Sequence, residues 1–260
     1  MKKWTFSLVL CGLTWILLSF STQALAYVFT DDFQQGFYWA HVPLTFRVAN
    51  DASDSGVTQK LTQEAMDEWE QDVGQQIWQM DDKSSNVIRW SNNFAADTGY
   101  DAQTTLAVTV RYHAGTYIGR VEIVINQGQE VLRRNAGGYL RQTILHELGH
   151  TLGLGHSDTQ AVMQAYLQFY SGLQSDDIDG MNEVLRQTRE RQANHYVSPM
   201  ASNGTSSSSG KFLGCGGGDS SNALKTTQGF TLSLFTGLLC SVFLGFLIKL
   251  PRVLKAKRQS

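Results

Sequence analysis

The chain has 260 residues, with 21 Lys and Arg against 23 Asp and Glu, a formal net charge of −2 and three cysteines. Lys2 and Lys3 open it and five basic residues (Lys249, Arg252, Lys255, Lys257, Arg258) close it, leaving 14 basic against 23 acidic residues between them, a net of −9. That balance argues against nucleic-acid binding, which needs a basic face, and with cysteines only at Cys11, Cys215 and Cys240 no disulfide staples the central part.

Lys2 and Lys3 precede an apolar run from Trp4 to about Phe20, and Ala24-Leu25-Ala26 forms a small-x-small cleavage site. This is the make-up of an export signal over residues 1–26. Cys11 follows Leu10 inside the run, which is a poor lipoprotein signature. The expectation is an exported protein whose mature chain begins near Tyr27, with an uncleaved N-terminal anchor as the alternative. Residues 27–191 are enough for one globular core.

Residues 43 to 49, PLTFRVA, alternate and are rich in β-formers, so they read as an opening strand. About fifteen residues separate Tyr27 from it, too few for a folded pro-domain. Val57, Leu61, Ala65, Trp69 and Val73 then recur every four residues with Met66 beside them, an amphipathic helix packing one stripe on a sheet. Residues 86–90, 105–112 and 120–126 are further strand candidates. In the loop 96–102, ADTGYDA, Asp97 and Asp101 flank Gly99. A structural calcium is one reading, but the oxygens fall short of the six to eight calcium wants, and a solvated turn is preferred. His41, His113 and His195 stand apart from other histidines and read as structural or surface residues.

The densest chemistry lies at residues 146–156, HELGHTLGLGH. With residues 140–152 helical, His146 and His150 are four apart and stack on one face, able to share a metal. Glu147 sits beside them but off the ligand axis, where a carboxylate can take a proton from water without binding the metal. Gly153 ends the helix through backbone conformations closed to other residues, and the returning chain brings His156 as a third ligand. Three neutral imidazoles with an open fourth position describe a catalytic zinc site. A structural site would be closed by four protein ligands.

These residues resemble the metzincin metalloproteases, and within them the matrixins. Met163, seven residues past His156, matches the methionine turn, and in that resemblance it forms an apolar floor under the ligands without binding zinc. Ser157 directly after the third histidine and residues 173–185, LQSDDIDGMNEVL, also match. Gln164 and Ala165 depart from the proline usual after the turn. The resemblance implies an α+β domain with a twisted, mostly parallel sheet, two long helices and a small C-terminal subdomain, holding one catalytic Zn2+. It implies metal ligands His146, His150 and His156, the catalytic base Glu147, and supporting residues Gly153 and Met163. A substrate would lie extended along an edge strand, expected between about Gly115 and Asn126; Tyr166, ahead of Tyr170, is a candidate for the oxyanion, with a core or rim tyrosine as the preferred reading. The pro-segment cysteine that keeps vertebrate matrixins latent has no counterpart between the signal and the motif.

After the motif, Ser175 with Asp176 and Asp177 reads as a helix cap with acids in the first turn, followed by the apolar stripe Ile178, Met181, Val184 and Leu185. Residues 192–229 are a Gly/Ser-rich spacer that cannot form a packed core. Phe230 to Ile248 is 19 residues without a charge, about 28 Å of helix at ~1.5 Å per residue. The basic tail 249–260 then places itself in the cytoplasm and the domain outside. A glycine-rich patch at Cys215, an apolar span and a basic end also resemble bacterial C-terminal sorting signals, which would add a processing protease acting near Cys215 as a partner.

The expected function is therefore a zinc endopeptidase acting on protein or peptide and anchored in the membrane by its C-terminal helix. A zinc-stabilised surface binding or adhesion module is one alternative, which Glu147 argues against. A cell-wall amide hydrolase is the other.

Overall fold

The computed structural model describes residues 27–50, 55–201 and 211–214. The proposed signal, the apolar segment 230–248, the basic tail and Cys215 lie outside the described residues. Among those described, no helix is long and apolar enough to cross a membrane.

In chain order the elements are α1 (Asp31–Gln34), β1 (Tyr38–Trp39), β2 (Leu44–Val48), α2 (Ser55–Val73), β3 (Trp78–Met80), β4 (Val87–Ser91), α3 (Phe94–Thr98), β5 (Ala107–Ala114), β6 (Tyr117–Asn126) and α4 (Glu130–Arg134). A single π-type turn, Ala136–Leu140, then leads into α5 (Arg141–Leu152), followed by α6 (Ser175–Ala193) and β7 (Lys211–Gly214). The sheet order is β3-β2-β4-β6-β5-β7, with β1 also paired to β6. Strands β1 to β4 and β6 pair in parallel, while β5 runs antiparallel to β6 and β7 antiparallel to β5. The protein is thus α+β with a mostly parallel sheet.

Parallel pairing requires crossovers that cover the sheet, and the burial follows. Strand β2 buries Leu44, Phe46 and Val48 in strict alternation, whereas β6 is buried continuously from Val121 to Asn126. It lies between β4 and β5, so it is interior, and the expectation that residues 115–126 form the edge is corrected. Its unbroken burial is the mark of a strand covered on both faces. Beyond it lies β5, whose other side is paired with β7.

Helices α2 and α5 share the main core with one face of the sheet. Helix α2 buries Leu61, Ala65, Met66 and Trp69, but Val57 at its exposed start is 49% accessible. Indole N–H groups stitch the layers together. Trp69 donates to the Leu145 carbonyl at 2.9 Å, Trp39 to that of Thr151 at 2.8 Å, and Trp78 to the Thr151 hydroxyl at 3.1 Å. These bonds fix α5 against its neighbours at the depth where the buried aromatic rings alone would let it slide.

The opposite face of the sheet carries a smaller cluster of Phe94, Val108, Val110 and Val124. Because side chains alternate along a strand, Val108 and Val110 on that face leave Thr109, Arg111 and His113 facing α5.

Candidate metal centre

Every residue of α5 from Gln142 to Leu152 is buried. A helix surrounded on all sides can place polar side chains only where a partner or a ligand receives them. His146 and His150, one turn apart, bring their Nε2 atoms to 3.0 Å. Gly153 then stops the helix at φ 126°, and a side chain there would strike the Phe33 ring at 2.7 Å. Both facts require glycine. The chain reverses, Leu154 bridges to Phe29, and the His156 ring arrives 5.1 Å from that of His150 and 5.4 Å from that of His146, centre to centre.

The chemistry of this donor set suits a metal ion. His146 Nδ1 lies 2.7 Å from the Val162 carbonyl and His150 Nδ1 lies 2.6 Å from that of Leu154. A carbonyl only accepts, so each Nδ1 carries the proton and each Nε2 presents a lone pair. Two lone pairs directed at one another across 3.0 Å repel unless a cation lies among them. Burial first, then the neighbouring His156, holds His146 down to about 4. Burial and the other two imidazoles push His150 well below the usual range. Burial also lowers His156, against the pull of Asp158. The three rings are neutral at neutral pH, with ligand atoms all within 4.8 Å of one another, a set that matches zinc's preference for imidazole nitrogen.

Glu147 is buried next to them, and its Oε2 accepts a 2.6 Å hydrogen bond from the Thr109 hydroxyl of β5. Burial raises its carboxyl to about 8, opposed by Thr109 and by the charge of Arg111.

Met163 packs beneath. Its sulfur occupies the space that a side chain on Gly149 would take, so the helix and the turn approach to backbone distance there. Asp177 fixes this turn, accepting from the Val162 N–H at 2.8 Å, the Met163 N–H at 3.0 Å and the Gln174 N–H at 2.9 Å. Val162 in turn receives His146, so the carboxylate sets the orientation of a ring it never touches. Helix α6 is capped at Gln174 and not at Ser175, with Asp177 reaching back. Ile178 is only partly buried, while Met181, Val184 and Leu185 are buried as the stripe required. Ser157 has its own task, since its N–H donates to the Met163 carbonyl at 2.8 Å and its hydroxyl to Asp176 at 2.5 Å.

A third support comes from the start of the chain. Arg111 on β5, fully buried, grips Asp32 of α1 at 2.6 and 2.9 Å and donates to the His150 carbonyl at 2.7 Å. His113 lies 3.1 Å from the same carboxylate and stacks on Phe37 at 3.9 Å. Burial alone would raise the Asp32 carboxyl, but the Arg111 charge and the bonds from His113, Arg111 and Thr30 outweigh it and hold it well below its ordinary value. The Thr30 N–H also donates to the Gly153 carbonyl at 2.8 Å, and the Gly155 N–H to that of Val28 at 2.7 Å. The short N-terminal stretch therefore clamps the turn that delivers His156. Motif reading missed Asp32, Arg111, Thr109 and the positioning work of Asp177. The one available signal was an arginine and a histidine at alternate positions of a strand otherwise rich in valine.

The remaining candidates fall elsewhere. Asp97 is engaged by Arg89 at 2.9 Å and by the Ser91 hydroxyl at 2.7 Å, whereas Asp101 caps its own turn at the Gln103 N–H, 2.9 Å away. The two carboxylates serve separate protein donors around a short helix ended by Gly99 at φ 84°. The calcium reading of this loop is corrected, because a guanidinium already neutralises the acid it would need. Tyr166 is 72% exposed, and the Tyr170 hydroxyl donates to Gln164 at 3.1 Å.

Three histidines on a helix and the glycine turn after it, with a buried carboxylate between them and strand β5 alongside, define a metallopeptidase-type centre. A family model described as Matrixin, of the Peptidase_M10 group, matches residues 38–185, and the chain belongs to that family of metzincin metallopeptidases, whose members use a catalytic zinc. No curated protein matches. Among solved structures, one titled "GM1 bound form of the ECX AB5 holotoxin" is similar over 61% of this chain and 84% of that one, at 15% identity and a TM-score of 0.35. So slight a likeness carries no argument.

Proposed function

We propose that the protein is a zinc-dependent endopeptidase in which His146, His150 and His156 hold the metal and Glu147 is the general base. The observation that supports this best is the pairing of two inward-facing Nε2 lone pairs 3.0 Å apart with a buried carboxyl on the adjacent residue. When bound, zinc supplies a Lewis acid that polarises a carbonyl oxygen and lowers the pKa of a water toward ~7. With a bound dication beside it to favour its ionised form, Glu147 would take one proton from the attacking water as the water's oxygen adds to the scissile carbonyl carbon. As the C–N bond breaks, it delivers that proton to the leaving amine. Thr109 holds the carboxylate in the direction of β5, and β5 presents backbone groups to an extended peptide, which pairs with them independently of its side chains. Met163 and Gly149 keep the floor under the imidazoles dry and close.

The same reading puts the domain outside the cytoplasm. Its support is the signal-like segment 1–26, the uncharged span 230–248 and the basic tail, with removal of the span near Cys215 by a sorting protease as the variant of that route.

The test is hydrolysis of casein and a mixed peptide library by the full chain, with zinc content measured and with or without a chelator. One zinc per chain is expected, with chelator-sensitive cleavage of peptide bonds in both substrates. The Glu147→Ala variant should keep its zinc and lose about 10²–10⁴-fold in kcat/KM. Wild-type rates in zinc-loaded Glu147→Ala would refute the base assignment. Cleavage of purified peptidoglycan but not casein would replace the endopeptidase reading by the cell-wall one.

A further inference from the structure

The spacer was expected to carry no packed structure, yet one piece of it, β7, lies on the strand edge that leads to the metal centre. Gly214 stands opposite Thr109, Leu213 opposite Val110, Phe212 opposite Arg111 and Lys211 opposite Tyr112, all antiparallel. Thr109 is the residue whose hydroxyl touches Glu147 at 2.6 Å. The added strand therefore runs toward the centre, with its last residue level with the carboxylate.

We propose that Lys211–Gly214 is the resident occupant of the β5 edge, so that a peptide substrate has to displace the chain's own strand to bind. The inference rests on the reading of β5 as the substrate edge. Without β7 that edge would show a row of unpaired N–H and C=O groups, a template for any extended segment. Pairing of this kind is made by backbone and needs no side-chain match, so a segment of the same chain competes on equal terms with a substrate. It also competes at close range. Ala201, the last described residue before it, precedes Lys211 by only ten positions, so the strand is tethered closely to the domain it pairs with. A short tether of that kind gives an effective concentration on the order of millimolar, comparable with or above common KM values of 1 μM–1 mM. Four paired residues are few, so the strand is displaceable, and the expected effect is a rise in apparent KM of about tenfold with kcat little changed, the equivalent of one or two net backbone hydrogen bonds.

The experiment compares the full chain with its Phe212→Pro/Leu213→Pro double variant. Neighbouring residues of a strand point their N–H groups to opposite sides, so replacing both removes whichever one pairs with β5. Amide hydrogen exchange over residues 107–114 is read alongside peptide hydrolysis. Faster exchange in the variant, with an apparent KM about tenfold lower, is expected. Equal exchange overturns the pairing whether or not the chain hydrolyses anything. Faster exchange with unchanged KM overturns the competition with substrate. If neither protein cleaves any peptide while the exchange difference persists, the endopeptidase reading fails and the strand pairing stands.

Discussion

Beneath the three imidazoles, Asp32, Arg111 and Asp177 are buried and each serves several partners at once, whereas on the segment after the methionine turn Tyr166 is 72% and Phe169 57% exposed. The first region is a polar scaffold in a dry interior, where each bond is strengthened by its surroundings and each orphaned group is costly. The second is held by looser contacts, such as the edge-on packing of Phe169 on Tyr139 at 4.7 Å. The lesson is a division of labour. The floor fixes where the ligand nitrogens stand, and the rim can change without moving them.

Breaking the floor should give the largest effects. Asp32→Ala leaves the Arg111 guanidinium buried without its carboxylate, and loss of one partner from such a pair costs about 3–5 kcal/mol. Urea unfolding of the variant should show a loss of this size together with weakened zinc retention, since Arg111 also holds the His150 carbonyl. An effect below ~1 kcal/mol, the range of exposed pairs, would show that the pair is solvated in practice.

The same pair has a pH signature. The folded carboxyl of Asp32 titrates well below its ordinary value, so its contribution is complete above the unfolded pKa of about 4 and is lost as pH falls through the lower, folded one. Wild type should therefore lose stability on acidification from about pH 4 downward more steeply than Asp32→Asn. Parallel slopes for the two proteins between about pH 4 and about pH 2 would be inconsistent with the assignment.

Gly153→Ala comes next, at about 1–3 kcal/mol for forcing a side chain into this backbone conformation, with the clash against Phe33 in addition. Thermal unfolding measures the loss, and zinc titration should show weaker binding because the turn carrying His156 is displaced. The smallest effect belongs to the rim. Phe169→Ser should change stability by less than ~0.5 kcal/mol and leave zinc binding intact, while the pattern of cleavage sites in a peptide library shifts. A stability loss as large as that of Gly153→Ala would erase the distinction between the two regions.

What could be read in advance follows the range of the interactions involved. The helix over residues 140–152, the four-residue spacing of His146 and His150 and the glycine stop at Gly153 are local, so periodicity and backbone sterics were enough to place them. The strands at 43–49, 86–90, 105–112 and 120–126 were found by alternation and β-branching, and the mostly parallel α+β sheet followed from the family resemblance. The edge was misplaced because strand order is a long-range property: β5 and β6 are both buried over most of their length, so neither strand's own residues say which one is flanked on both sides. The cap of α6 moved by one residue, since Asp177 is recruited by the methionine turn as well as by its own helix.

The sequence by itself determined the class of centre, because three imidazoles and a carboxylate on one helix and its turn need only local geometry to converge. It also determined that the central part carries no disulfide and an acidic balance. Tertiary structure alone decided that the polar face of β5 points inward, where alternation would have given Thr109, Arg111 and His113 to solvent. It decided as well that Arg111 finds its carboxylate 79 residues away, and that Lys211–Gly214 rather than open solvent meets the edge beside Glu147. The physical reason is common to all three. A strand's hydrogen-bonding edge and a buried charge are satisfied by whatever group the fold brings near, and a linear pattern records the need for a partner without recording which one arrives.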